Sequence, residues 1–330
     1  MLLLSRKDIL SVFSMKDAIE ADKKAFVLHT QGKAKVPLRI NLETDDHSGQ
    51  CMFMPAYVGG EVNAAGVKIV SFFPGNAKKG IPVVPATVPV ISCETGLVTA
   101  IIEGTTLTQI RTAAIAGAAI ELLAKPDCKI GALFGTGGQA VAQLEAMMTA
   151  RKLEEIRIFD ALDGRAEDFV LKNKPLAERF GTLLIAAGTS KEAVVGADVV
   201  TTVTTSAEPV FSAEDIKPGC HITGVGSYTP EKRELPFELL QRAARIFVDN
   251  SEAVLSEAGD FIIPMQQGVF SKDMIAGELG DLILGKVAGR TGKNDITVMK
   301  TVGFATLDIV TAAEIVKKAE AASVGTKVEL

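Results

Sequence analysis

A glycine-rich turn in the middle of the chain has the spacing of a phosphate-binding loop. In the stretch GALFGTGGQA, Gly135, Gly137 and Ala140 follow a short apolar run and open a helical pattern. Gly135 permits a tight turn, Gly137 lets the backbone approach a pyrophosphate, and Ala140 allows the helix to pack closely on the strand. The first N–H groups of such a helix, with its positive dipole end, suit phosphate binding. The turn therefore predicts a dinucleotide site.

An acidic residue ends the next predicted strand, EIRIFD. Asp160 stands about 20 residues beyond the turn, where a carboxylate hydrogen-bonds ribose hydroxyls and repels a 2′-phosphate. Arg165 follows five positions later, and its guanidinium could neutralise part of that repulsion. We expect NAD(H) to be favoured over NADP(H), with both residues near the cofactor.

Three basic residues lie in apolar runs that should be buried. They are Arg39 in PLRIN, Lys68 in GVKIVSFFPGN and Arg111 in QIRTAAIAGAA, and none of these runs contains an acidic residue. Each side chain could extend its charged end to solvent, but Lys and Arg are almost never fully buried without a partner. Three of them together favour an anionic ligand, and Arg111 near a helix N-terminus suits a fork-like grip on a carboxylate.

Composition excludes several classes of function. The 330 residues have a net charge of −5, no Trp and only two Tyr, so neither a basic face nor an aromatic platform for nucleic acid is expected. No apolar run approaches the roughly 18 residues of a membrane span. The four cysteines form no C-x-x-C pair and the three histidines lie far apart, so we expect no metal site. Without a recognisable signal peptide, the expected compartment is the cytoplasm.

The elements that would position these residues fall into two groups. The first 35 residues have a helical pattern, with a capping-box spacing at Ser14 and Asp17. Five strand-like runs follow as a predicted meander. A long helix is predicted from Ile110 to Ala124, with a capping-box spacing that begins at Thr106 and a stop at Pro126.

Strands then alternate with helices, which predicts a parallel, doubly wound sheet. The tail has a strand and then an amphipathic helix from about Asp308, which we expect to pack on the first domain. The predicted fold class is α/β. A Rossmann domain would comprise residues 118–303, and an α+β domain for substrate binding would comprise residues 1–117 plus 304–330.

Several stretches together resemble one known family. GVKIVSFFPGN, TQIRTAAIAGAA, GTGGQA and EAGDFIIP are similar, in this order, to segments of the ornithine cyclodeaminase/mu-crystallin family. That family includes archaeal-type alanine dehydrogenases and pyrroline-2-carboxylate reductases. The resemblance implies a homodimer, with a substrate domain built from both chain ends and a Rossmann domain between them.

The resemblance also implies roles for individual residues. Lys68 and Arg111 would contact the substrate, Arg39 would be a further carboxylate contact, and Lys68 is the expected catalytic residue. The expected cofactor contacts are Thr112, Gly135, Thr136, Gly137, Gly138, Gln139, Ala140, Asp160, Arg165, Thr202, Val203, Thr204, Val225, Gly226, Ser227, Thr301, Val302 and Gly303.

One segment departs from the pattern of ornithine cyclodeaminases. Those enzymes have an Asp shortly before the Pro of a DCPGK-like segment, and its carboxylate meets the side-chain amine of the substrate. Here the segment is GSYTPEKREL, with Tyr228 or a neighbour at that position. A second substrate ammonium would lack its counter-charge, which is costly in a buried site. The segment therefore disfavours diamino acids.

The expected reaction is hydride transfer between nicotinamide C4 and the α-carbon of an amino or imino acid. Arg111 and Arg39 would hold the carboxylate, while Lys68, with a pKa lowered by neighbouring guanidinium groups, would hydrogen-bond the substrate and shuttle a proton. The favoured activity is reduction of a cyclic ketimine such as Δ1-pyrroline-2-carboxylate to proline. Ornithine cyclodeaminase, alanine dehydrogenase and a non-catalytic small-ligand-binding protein are the alternatives.

Overall fold

The polypeptide divides into two units, Met1–Arg111 with Phe304–Leu330 and Thr112–Gly303. The computed structural model describes residues 1–37, 39–44 and 49–329. Leu38, in the first of the predicted meander strands, lies outside the described residues. The expected domain boundary after residue 117 and the observed division after Arg111 fall in the same helix, and the roles assigned to the two domains stay predictions.

The helices are α1 (Arg6–Val12), α2 (Met15–Thr30), α3 (Gly104–Leu123), α4 (Ala140–Ala150), α5 (Arg165–Phe180), α6 (Ser190–Val194), α7 (Phe237–Arg242), α8 (Ser251–Glu257), α9 (Gly259–Gln266), α10 (Leu279–Ile283) and α11 (Ala305–Ala321). The strands are β1 (Leu2–Leu4), β2 (Ala34–Lys35), β3 (Ile40–Thr44), β4 (Gly49–Val58), β5 (Ala64–Phe72), β6 (Ala86–Ser92), β7 (Val98–Glu103), β8 (Ile130–Phe134), β9 (Glu155–Phe159), β10 (Leu183–Ala186), β11 (Val199–Thr202), β12 (His221–Gly224), β13 (Arg245–Val248), β14 (Ile275–Glu278), β15 (Thr297–Lys300) and β16 (Thr326–Lys327).

The first unit contains a mixed sheet in the order β16-β1-β7-β6-β5-β4-β2, with β3 paired to β4. Strands β4 to β7 form the predicted antiparallel meander. The prediction of helix from the first residue was wrong, because Leu2–Leu4 pairs in parallel with β7 and antiparallel with β16. Those partners lie about 100 and more than 300 residues away in sequence, so no local pattern indicates them.

Two helices cover this sheet. Helix α2 begins with the predicted capping box, in which the Ser14 hydroxyl accepts from Asp17 N and the Asp17 carboxylate accepts from Ser14 N. Helix α11 packs against α2, β4 and β5, which confirms that the terminal helix returns to the first unit. It begins at Ala305, three residues earlier than predicted, and therefore places Asp308 in its first turn.

The second unit is a sheet of eight parallel strands in the order β10-β9-β8-β11-β12-β15-β13-β14. Ala132 and Phe134 of β8 pack into one hydrophobic cluster and Leu133 into another, so the sheet is covered on both faces. Strands β9 and β10 lie on one side of β8, and β11 and β12 lie on the other. This change in the order of the strands gives the switch point at which Rossmann-type folds bind dinucleotides. The predicted fold class is confirmed, although β14 was not foreseen.

The start of α3 was also predicted wrongly. The Glu103 carboxylate, not Thr106, caps the helix, because it accepts hydrogen bonds from Thr105 N and Thr106 N, each at 2.9 Å. In the part of the chain that the structure describes, no helix is long and apolar enough to cross a bilayer.

Candidate functional site

A buried ion-pair cluster lies beneath helix α11 in the first unit. Lys68 occupies one of the alternating buried positions of β5, and its side chain is 2% exposed. Asp308, in the first turn of α11, is fully buried between two cations. Its Oδ2 lies 2.8 Å from Lys68 Nζ, and its Oδ1 accepts a 2.8 Å hydrogen bond from Arg111 Nε. The structure therefore brings two of the three predicted basic residues together.

Lys68 and Arg111 share an acidic partner, although neither of their own runs contains an acidic residue. Their partner comes from the far end of the chain, nearly 200 residues after Arg111, so the runs that contain the cations give no sign of it. A single carboxylate with both oxygens engaged still leaves one of two buried positive charges unmatched. Such an excess is costly unless a further anion binds.

Asp22 of α2 is a second buried carboxyl close enough to act on the cluster. It is fully buried; its Oδ1 lies 3.4 Å from the Thr311 hydroxyl, and its Oδ2 has no hydrogen-bond partner. Burial raises the pKa of Asp22 well above its usual range, the Arg111 guanidinium opposes the shift, and the Asp308 charge adds to it. This shift favours the protonated form of Asp22, so its carboxyl does little to offset the positive charges of Lys68 and Arg111.

The predicted fall in the pKa of Lys68 is confirmed. Burial lowers the pKa of this ammonium to about 8, with Arg111 and Arg39 acting in the same direction and Asp308 opposing. Arg39 is half-buried just before β3. Lys68 is thus mostly charged at neutral pH, yet close enough to its pKa to exchange a proton.

In the second unit, the glycine-rich turn lies at the carboxyl end of β8. Gly135 has a φ of +97°, and a Cβ there would lie 2.8 Å from Val203 O, so both the conformation and the close approach require glycine. A Cβ at Gly137 or Gly138 would meet no atom within 4 Å. The turn therefore leaves open space in front of the first N–H groups of α4, as a phosphate loop needs.

Asp160 fastens this turn from the neighbouring strand. Its Oδ2 accepts from Thr136 N at 3.0 Å and from the Thr136 hydroxyl at 2.6 Å, and its Oδ1 accepts from Leu162 N at 3.0 Å. A carboxylate has about four acceptor positions, so one remains for a ribose hydroxyl. Arg165 begins α5 with an exposed side chain.

The remaining predicted cofactor residues lie in loops that buried carboxylates hold. Glu234 accepts from the Thr202 hydroxyl, Thr204 N, Gly226 N and Ser227 N. Asp249 accepts from the Thr301 hydroxyl, Val302 N and Gly303 N. Val203 and Val225 lie within the same loops, whereas Thr112 lies in α3, where its carbonyl accepts from Gln143 Nε2. Whether these residues contact a cofactor stays a prediction.

Sequence reasoning missed the functional place of five buried acidic residues. One is the counter-ion of the cation cluster, one lies close to that cluster, and three support the loops of the second unit. They are Asp308, Asp22, Glu234, Asp249 and Asp260. The only available signal was an acidic residue in an otherwise apolar segment, which Asp308 in GFATLDIVTAA and Asp260 in EAGDFIIP both show.

No group of three or more His, Cys, Asp or Glu side chains is arranged to hold a metal ion anywhere in the described ranges. Each unit thus has its own candidate feature, which is the buried basic cluster in the first unit and the glycine-rich turn in the second.

Comparison with known proteins identifies relatives over the full length. The model of the ornithine cyclodeaminase/mu-crystallin family matches residues 1–323. A Δ1-pyrroline-2-carboxylate reductase of Bacillus cereus is 32% identical over 329 residues, covering 100% of both chains. The structure of Thermococcus litoralis Δ1-pyrroline-2-carboxylate reductase with NADH and L-proline superposes with a TM-score of 0.92 at 38% identity, covering 99% of this chain and 100% of that one. An archaeal alanine dehydrogenase, solved as a dimer with bound NAD, gives a TM-score of 0.90 at 31% identity, covering 100% and 99%.

Proposed function

The chain belongs to the ornithine cyclodeaminase/mu-crystallin family, and on that premise we propose that it reduces a small cyclic imino acid, Δ1-pyrroline-2-carboxylate, to proline with a reduced nicotinamide cofactor. The observation that supports this most is the buried Lys68–Arg111–Asp308 cluster with its net positive charge. A substrate carboxylate offsets that charge. Relatives named for this activity cover the whole chain.

The cluster has the groups that the reaction needs on the substrate side. Arg111, with Arg39, binds the carboxylate and fixes the orientation of the imine carbon, because a planar guanidinium pairs with a carboxylate in a defined geometry. Lys68 delivers a proton to the imine nitrogen, since its lowered pKa of about 8 permits transfer near neutral pH. Asp308 holds both cations by their nitrogen atoms and limits their rotation.

The second unit has the features that a dinucleotide needs. The open turn at Gly137 and Gly138 and the start of α4 suit the pyrophosphate, and a bound nicotinamide would supply the hydride. Asp160 favours NAD(H) over NADP(H), because a 2′-phosphate would lie against its negative charge.

The segment from Gly226 to Leu235 argues against a diamino acid substrate. Glu234 is fully engaged by four donors, and Glu231 is exposed and bonded to the Thr229 hydroxyl at 2.7 Å. Tyr228 is 47% exposed, with the Lys232 ammonium 5.1 Å from its ring centre. This segment therefore has no spare buried carboxylate for a second substrate ammonium.

A second candidate is NAD-dependent alanine dehydrogenase, which the similarity to the archaeal enzyme favours. The carboxylate of pyruvate would bind to the same basic residues, so the cluster alone does not distinguish the two reactions. We further propose a homodimer, as in that relative's structure, and retain the cytoplasm as the expected compartment.

A substrate panel with the purified full chain tests the proposal. We expect NADH to be oxidised when Δ1-pyrroline-2-carboxylate is the only substrate added, and at a higher rate than NADPH. NADH oxidation that needs pyruvate and ammonia together would favour alanine dehydrogenase. Ammonia release from L-ornithine without net NADH change would indicate a cyclodeaminase, and tight ligand binding without turnover of any of these compounds would contradict an enzymatic role.

A further inference from the structure

Two loops that the cofactor prediction includes share one buried acceptor. Residues 202–204 are the last residue of β11 and the two that follow it, and residues 225–227 follow β12, its parallel neighbour in the sheet. The Glu234 side chain is fully buried and accepts hydrogen bonds from both loops. Its Oε1 accepts from Thr204 N at 2.6 Å, and its Oε2 accepts from Gly226 N at 2.6 Å, Ser227 N at 3.2 Å and the Thr202 hydroxyl at 3.0 Å.

The backbone of Glu234 is itself fixed. Asp260 Oδ1 accepts from Glu234 N at 2.7 Å and from Leu235 N at 2.8 Å. The Lys300 ammonium of β15, also fully buried, lies 3.0 Å from Asp260 Oδ2 and balances one of the two acidic charges. The carboxylate is therefore held from its main chain as well as by its four donors.

Close approach is built into the second loop. A Cβ on Gly226 would lie 2.6 Å from Glu234 Oε1 and 2.1 Å from Thr204 O, so only glycine lets this loop reach the carboxylate. Three of the donors to Glu234 are backbone N–H groups, which can only donate. A buried N–H that loses its acceptor costs about 1–3 kcal/mol, so the two loops keep this arrangement only while an acceptor is present.

We infer that Glu234 is a positioning residue for the cofactor, which joins the loops 202–204 and 225–227 at the carboxyl edge of the sheet so that their backbone is preformed for the dinucleotide. The inference rests on the proposed function for the identity of the ligand. That Glu234 orders the two loops is inferred from the hydrogen bonds alone.

The sheet offers a matched control at its opposite edge. Asp198 is buried and accepts from Lys129 N at 2.9 Å and Ile130 N at 3.1 Å, at the amino end of β8, away from the predicted cofactor loops. Glu234→Gln and Asp198→Asn each replace a carboxylate that binds backbone N–H groups with a nearly isosteric amide. Only the first change touches the loops in question.

The experiment compares the two variants of the full chain by NADH titration, steady-state kinetics and amide hydrogen exchange. Glu234→Gln should weaken NADH binding and raise the KM for NADH roughly 10- to 100-fold, as expected when contact groups shift by about an ångström, with a smaller effect on kcat. Exchange at the amides of Thr204, Gly226 and Ser227 should speed up. Asp198→Asn should lower the melting temperature but leave NADH affinity and these amides unchanged.

Equal NADH affinity in the two variants, or unchanged exchange at the three amides, would overturn the inference. If wild-type protein binds no NADH, the proposed function fails, and the exchange data still decide whether Glu234 orders the loops.

If Glu234→Gln does not fold, Thr202→Val becomes the test variant and Thr201→Val becomes its control. The Thr202 hydroxyl donates to Glu234, whereas the buried Thr201 hydroxyl has no partner. Faster exchange at Gly226 in the Thr202 variant alone supports the inference, and identical exchange in both refutes it.

Discussion

Replacing Asp308 by Asn removes the negative charge from the basic cluster while nearly preserving volume. Asp308 has 0% exposure and lies 2.8 Å from nitrogens of both Lys68 and Arg111. Removal of one partner from a buried ion pair typically costs about 3–5 kcal/mol, because the other charge stays buried without compensation. We expect a loss of that size in the free energy of unfolding at neutral pH.

The two cations should contribute unequally to this loss. Lys68 can avoid the unpaired charge by releasing its proton. With a pKa of about 8, deprotonation of this ammonium at pH 7 costs about 1.4 kcal/mol. Arg111 cannot lose its proton. Most of the destabilisation should therefore come from the guanidinium, and it should persist at alkaline pH.

Urea unfolding followed by far-UV circular dichroism measures this loss, since the chain has no Trp to report by fluorescence. Glu314→Gln is a matched control in the same helix, because Glu314 pairs with Lys24 at 2.8 Å with side chains 23% and 24% exposed. Such a partly exposed pair contributes about 0–1 kcal/mol. If Asp308→Asn costs no more than Glu314→Gln, the argument for a tightly paired, buried cluster is refuted.

Three further predictions concern single residues. Arg111→Ala should raise KM and lower kcat for every carboxylate substrate, and unchanged kinetics would exclude the proposed binding of the substrate carboxylate by Arg111. Asp160→Ala should reduce discrimination against NADPH in parallel kcat/KM measurements; an unchanged NADH/NADPH ratio would show that Asp160 does not select the cofactor. Burial lowers the pKa of His221 to about 3. Between pH 6.5 and about 3 this imidazole therefore binds a proton only in the unfolded chain, so the free energy of unfolding should fall by up to about 5 kcal/mol as pH decreases through that range. His221→Gln should flatten this acid dependence in pH-resolved thermal melts, and an equally steep decline would contradict the assignment.

The parts of the fold that depend on local patterns could be predicted from sequence. Alternating strands and helices, the meander and the capping box at Ser14 all follow from residues close together in the chain. Strand β1 could not be predicted, because Leu2–Leu4 is a strand only through its pairing with β7 and β16. Its leucines alone are equally compatible with a helix.

The candidate site shows the same division. The basic residues and the glycine turn were visible because each is unusual for its own segment. The partners of Lys68 and Arg111 were not, since Asp308 and Asp22 come from opposite ends of the chain and meet only when α11 packs on α2. Glu234 lies in the segment GSYTPEKREL, but its hydrogen bonds to two loops depend on the three-dimensional neighbourhood of β11 and β12.

The affinity for a substrate-like carboxylate as a function of pH tests the central claim most directly. Pyrrole-2-carboxylate is a suitable probe because its ring nitrogen does not titrate in the neutral range, and calorimetry with NADH-saturated protein gives its Kd. We predict a Kd that is constant at neutral pH and rises above pH about 8 as Lys68 loses its charge, whereas Lys68→Met should bind weakly at every pH. Equal affinity and an equal pH profile in the two proteins would contradict the account.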